Sequence, residues 1–172
     1  MPLYFFSTGA LFLNEVIMDT KKIYELHYLS SEFYKKYSSS EYPEIEHKAQ
    51  RPYIVLLIKV DNNTFALPLR TNIKHSSCYK FQYSSRPTDS ITGIDFTKAV
   101  IVNEESYIGE AAEIDNKEYV ELNDRIAFIV SKFRTYIRGY YTYVSGKANE
   151  YQAKRYKFTT LKYFHNELGI SK

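Results

Sequence analysis

Two apolar runs, YIVLLIKV and TFALPL, flank Asp61, Asn62 and Asn63 in the stretch from Tyr53 to Leu69. The first is apolar at consecutive positions from Tyr53 to Ile58, the mark of a central strand covered on both faces. The Asp-Asn-Asn step tolerates positive φ, as a tight antiparallel turn requires. The pattern therefore predicts a hairpin. Pro68 cannot donate to a ladder and is expected to end the second strand or sit at a bulge. Upstream, residues 23–29 alternate weakly and suit a short strand. Ser30 or Ser31 then caps a brief helix carrying Phe33, Tyr34 and Tyr37. Residues 38–50 are polar and read as a surface loop. Downstream, YKFQY (79–83) alternates like a strand, 84–93 is a loop rich in Ser, Thr, Pro and Gly, and 98–102 gives a further strand.

The period then changes. Tyr119, Leu122, Ile126, Val130, Phe133, Ile137, Tyr140 and Val144 step by three or four, which predicts one long amphipathic helix, with Gly139 expected to break or kink it. Ser145, Gly146 and Lys147 form a connector. Thr159 or Thr160 is expected to start a C-terminal helix through Leu168, stopped by Gly169. Strands first and helices later predict an α+β domain, with helices on one face of an antiparallel sheet.

Length adds one bound: 172 residues make a single domain with room for a real core, read as 18–172. Residues 1–17 stand apart as an N-terminal extension, either an added strand or translation from an upstream start. Their apolar run is too short to span a bilayer, is broken by Asn14 and Glu15, and lacks a basic leader region, so no signal peptide or membrane partner is expected. Net charge is +3, so the placement of 23 basic and 20 acidic residues matters more than their sum. Tyr and Phe number 18 and 11 with no Trp; Tyr suits wet interfaces and base stacking, although an AT-rich genome accounts for much of the excess. The single Cys78 excludes an intrachain disulfide and a cysteine zinc site, fits a reducing cytoplasm, and reads as a half-buried structural residue.

The candidate chemistry clusters at the ends of the predicted hairpin. His47, Lys48 and Arg51 precede it; Arg70, Thr71, Lys74 and His75 follow it. Antiparallel pairing brings the start of one strand beside the end of the other, so Arg51 and Thr71 are expected to be neighbours. A cation beside a hydroxyl, with imidazoles near, is what a phosphate-handling site needs. The phosphate loop, dinucleotide fingerprint, HExxH and CxxC motifs are all missing, and the four histidines lack metal-ligand spacing, so neither metal nor cofactor is expected. Metal-free RNA cleavage uses the substrate's 2′-hydroxyl as nucleophile; His, Tyr or Lys move protons while Arg, Lys and hydroxyls stabilise the phosphorane. A second basic group, Lys154, Arg155 and Lys157, is interleaved with Tyr151, Tyr156 and Phe158 as in RNA-contacting segments.

KIYELHYL, ALPLRT, GIDFTKAVIV, RIAFIVSKF and YKFTTLKYFHNEL, in that order and spacing, resemble the endoribonuclease toxins of type III toxin–antitoxin systems. This is the ToxN, AbiQ, CptN and TenpN group, with the CptN or TenpN branch nearer. The likeness implies a compact, twisted antiparallel sheet similar to MazF and Kid toxins. It implies metal-independent cleavage to 2′,3′-cyclic phosphate and 5′-hydroxyl ends. The implied partners are cellular mRNA substrates and a small repeat-derived pseudoknot antitoxin RNA that blocks the site in a closed toxin–RNA assembly. It also implies a part in phage defence. Carried over residue by residue, a catalytic lysine falls on Arg51, a hydroxyl pair on Arg70 and Thr71, an active-site tyrosine on His47 and a following basic residue on Lys74. Arginine stays charged, so Arg51 is expected to clamp phosphate while His47, with His75 in reserve, transfers protons. The alternatives are a non-catalytic RNA-binding protein and a protein-interaction module on the Tyr-rich surface.

Overall fold

The computed structural model describes residues 24–48 and 50–171; the extension over 1–17 lies outside them. Among the described residues the order is β1 (Tyr24–Leu29), α1 (Ser31–Lys36), β2 (Ile54–Val60), β3 (Asn63–Thr71), β4 (Cys78–Lys80), β5 (Thr92–Asp95), β6 (Val100–Ile101), β7 (Ile108–Ala111), α2 (Asn116–Val144) and α3 (Glu150–Tyr156). All strand pairs are antiparallel, in the order β4-β5-β3-β2-β1-β7, with β6 also on β3. The α+β class with an antiparallel sheet is therefore present.

β2 and β3 form the expected hairpin. Val60 pairs with Asn63, and Asp61 takes the left-handed region at φ 54°. Val55, Leu56, Leu57 and Ile58 are all buried, so β2 is covered on both faces. Pro68 does not end β3 but sits inside it, opposite Val55. Thr64 directs its N–H to Asn103 and its carbonyl to the Val102 N–H, so even-numbered residues of β3 address the β6 and β5 side. Along that edge β6 pairs with Phe65 and Ala66 and β5 with Leu69 to Thr71. Pro68 falls in the gap, where its missing donor costs no bond.

Ser30 caps α1 by accepting from the Phe33 N–H. α2 is the predicted long helix, capped by Asp115 and unbroken through Gly139. Phe133, fully buried, packs edge-on against Phe65 of β3 and beside Phe96. Burying a side chain of that size stabilises by about 1.5–3 kcal/mol. A β-carbon at Gly139 would collide with the Tyr156 phenol, which donates to the Tyr136 carbonyl at 2.9 Å. The glycine is a seat for α3 and does not break the helix.

The segment around Tyr151 and Tyr156, to which the sequence pattern assigns no element, is a helix, α3, closed by a capping box between Asn149 and Gln152. Three further expectations are corrected. The expected C-terminal helix is only a 3₁₀ turn at Thr160–Tyr163, although Gly169 does take φ 66° beyond it. The strand expected over 98–102 is shorter because Phe96–Lys98 is itself a 3₁₀ turn, and YKFQY contributes only Tyr79 and Lys80 to β4.

Candidate functional site

Side-chain alternation sorts β3 into two faces. Phe65 meets α2, whereas Ala66, Pro68 and Arg70 line a cavity on the opposite side. β3 ends at Thr71, Asn72 reverses the chain at φ 57°, and β4 returns with Cys78 opposite Asp95 of β5. The intervening loop lays His75 over Asp95, held by a Cys78 thiol contact to the His75 carbonyl at 3.2 Å. Cys78 is buried, and burial raises its thiol pKa, in keeping with a structural cysteine.

Asp95 is the hub. It is sealed from solvent, and it starts the Phe96–Lys98 turn by accepting from the Thr97 N–H and hydroxyl at 2.9 and 2.7 Å. Its second oxygen accepts from Arg70 Nη1 at 2.7 Å, and His75 Nε2 stands 3.4 Å from the first. Burial alone would raise the carboxyl pKa, but His75, Thr97 and Arg70 outweigh it and hold the value to about 2. Arg70 is shifted the other way. Burial opposes its charge, yet Asp95 and Glu46 raise its pKa above the ordinary value. One carboxylate thus fixes a guanidinium and an imidazole side by side.

Around Arg70 the cavity has an apolar floor of Val55, Ala66, Pro68 and Val100 and tyrosine walls, Tyr34 and Tyr53. Glu46 accepts from Arg70 Nη2 at 3.2 Å and from the Tyr53 hydroxyl at 2.8 Å. Lys48 and Arg70 both lie against the Tyr53 ring, at 5.0 and 5.7 Å from its centre. Lys98 lines the same cavity; burial lowers its pKa, which suits a lysine that exchanges a proton. His47 stacks on Tyr34 with ring centres 4.0 Å apart, placing a second imidazole beside that wall.

His75 opens onto a second cavity of about 310 Å³, shared with Thr97, Lys154, Arg155 and Phe158. Lys98 joins the two cavities, lining the first and donating to the Phe158 carbonyl at 3.4 Å. The basic segment expected to contact RNA thus arrives beside His75, carried by α3.

The candidate residues therefore divide. Arg70, His75, Lys154 and Arg155 come together about Asp95 and Lys98, with His47 nearby. Lys157 caps α3 and lies over the exposed Phe158 ring at 5.2 Å. Lys74 turns to a different groove with Asn72, Lys80 and Asp89. Arg51 and Thr71 are both exposed, and among the described residues neither side chain has a hydrogen bond or ion pair. The β2–β3 ladder stops at Val55 and Pro68, before it could align them. Thr71 also has the parity of Phe65, not of Arg70, and no hydrogen bond joins it to Arg51 among the described residues. Asp95, Lys98, Glu46 and Tyr53 complete the cluster and were not singled out from sequence. Asp95 carried one local sign, a Thr two residues on as in an Asx turn.

A proton carrier held by a buried carboxylate, beside two cations and an open basic cavity, can bind a phosphodiester and move protons on it. Among the described residues no group of His, Cys, Asp or Glu side chains could hold a metal ion, and no helix is long and apolar enough to cross a membrane. The chain matches no protein-family model, no curated protein and no solved structure.

Proposed function

We propose that this protein is a metal-independent endoribonuclease, the toxin of a type III toxin–antitoxin pair held inactive by a small pseudoknot RNA. The observation that carries the enzymatic part is the joint hold of Asp95 on Arg70 and His75, with Lys98 beside them. In the proposed reaction the substrate's 2′-oxygen forms a bond to the adjacent phosphorus while the bond to the 5′-oxygen breaks. One proton leaves the 2′-hydroxyl and another reaches the departing 5′-oxygen. His75 and Lys98 exchange those protons, and Arg70 stabilises the charge gathering on the phosphorane. Asp95 orients the imidazole and guanidinium without meeting the substrate. His47, on Tyr34, is a second imidazole beside the Arg70 cavity, while Arg51 and Thr71 take places at the rim.

The family assignment, the antitoxin RNA, the mRNA targets and the resemblance to MazF-type cores rest on the sequence likeness; the antiparallel α+β architecture is compatible with them. The acid-free cavity beside His75 would equally serve a protein that only holds RNA. A labelled transcript incubated in EDTA separates the two readings. The nuclease cuts it, His75→Ala slows cutting about 100-fold, and Arg51→Ala and Thr71→Ala have smaller effects. An intact transcript with wild-type protein reduces the function to RNA binding. Loss of cutting in Thr71→Ala with none in His75→Ala moves the site to the hairpin rim.

A further inference from the structure

The basic and acidic residues of the chain nearly cancel, 23 against 20, but not in the cleft between the loop before β4 and helices α2 and α3. The cavity beside His75 continues across Ser76, Ser77 and Arg155 into another of about 380 Å³, which reaches Lys132 and Arg138 on α2. No Asp or Glu lines either cavity, whereas Glu44 and Glu46 line the Arg70 cavity. Cations from two helices on acid-free walls concentrate a positive field, which suits a ligand with several negative charges. Lys132 and Arg138 are six residues apart, about 9 Å along the helix axis, too far for one phosphate to bridge.

At the end near His75, Tyr151 and Phe158 are 68% and 61% exposed, with Arg155 and Lys157 each 5.2 Å from a ring centre. Rings left open to solvent beside cations offer faces to unpaired bases. Further in, Thr135, Thr142 and Gln152 line the wall with uncharged polar groups. The threonine hydroxyls donate to helix carbonyls and so face the cleft as acceptors. Gln152 commits its carbonyl to the capping box and keeps its amide N–H groups for base edges and 2′-hydroxyls.

We infer that this cleft is a subsite for the single-stranded RNA flanking the cleaved bond. The strand runs from His75 past Phe158, which takes a base, and lays successive phosphates on Arg155, Arg138 and Lys132. The inference rests on the reading of the chain as an RNA-cleaving protein, and it adds that cutting depends on nucleotides beyond the scissile pair.

The test is anisotropy of a fluorescent 2′-O-methyl oligoribonucleotide of about twelve residues, which cannot be cut, measured across a salt series. The strand binds, and its duplex form binds about tenfold more weakly. Arg138→Ala makes the slope of log affinity against log salt shallower by about 0.7, one phosphate's worth. Phe158→Ala weakens binding about tenfold at an unchanged slope. Arg134→Ala removes the same charge from α2 outside the cleft and changes neither. Equal effects of Arg138→Ala and Arg134→Ala, or a duplex bound as tightly as the strand, overturn the inference. Binding as described with no cutting of the unmodified strand leaves the cleft standing and removes the nuclease. Cutting whose KM is unmoved by Arg138→Ala and Phe158→Ala does the reverse.

Discussion

A carboxylate with no access to water is costly unless it is paired and hydrogen-bonded, and Asp95 accepts from Thr97 and Arg70 with His75 3.4 Å away. Its folded pKa of about 2 lies below the ordinary aspartate value of 3.8. The stabilisation is therefore complete above the unfolded value and vanishes as pH falls through the folded one. Between about pH 5 and pH 2, wild-type protein should lose about 2 kcal/mol more unfolding free energy than Asp95→Asn. Urea titrations at both pH values measure this; parallel losses in the two proteins would mean that Asp95 is not the charged hub. Sequence alone could not reveal it, because its partner Arg70 lies on another strand, 25 residues away. Lys98 was hidden for a related reason. It opens the apolar run KAVIV and reads as strand, whereas the Asp95 cap folds it into a 3₁₀ turn. Arg70 and His75 were legible as a cation and an imidazole after the hairpin. Arg51 and Thr71 were legible as well, but strand parity, not proximity in sequence, decides which residues share a face.

At the level of elements, long periodic segments were readable and short ones were not. α2 announced itself through its 3.6-residue stripe, and β2 through its unbroken apolar run. α3 has seven residues, five of them exposed, one partly buried and only Tyr156 buried, so no apolar face marks it; its capping box and Tyr156 anchor define it instead. Gly139 shows how tertiary packing overrides local propensity. In an open helix Gly→Ala gains about 1 kcal/mol, but here the added methyl meets the Tyr156 phenol. Gly139→Ala should destabilise by about 1–3 kcal/mol, and Tyr156→Phe in the same chain should recover part of that loss. Thermal unfolding followed by circular dichroism decides the point. A higher Tm for Gly139→Ala would show that α3 is not seated on α2 as described.

Across the whole molecule, sheet order explains why chemistry from distant segments gathers at one place. β3 is flanked by β2 and β5, so Arg70 at its end meets Asp95 from one neighbour and the Glu46–Tyr53 segment leading into the other. The β4–β5 pairing adds His75, and α3 adds Lys154 and Arg155. A net charge of only +3 conceals this gathering, because composition records totals and not placement. The proposed chemistry is tested most directly by an oligoribonucleotide carrying one 2′-deoxy substitution at its cleaved position, incubated with wild-type protein in EDTA. Attack by the substrate's own hydroxyl predicts that the unmodified strand yields a 2′,3′-cyclic phosphate and a 5′-hydroxyl, and that the substituted strand stays whole at that bond. Cutting of the substituted strand there, or 5′-phosphate ends from the unmodified one, would contradict it.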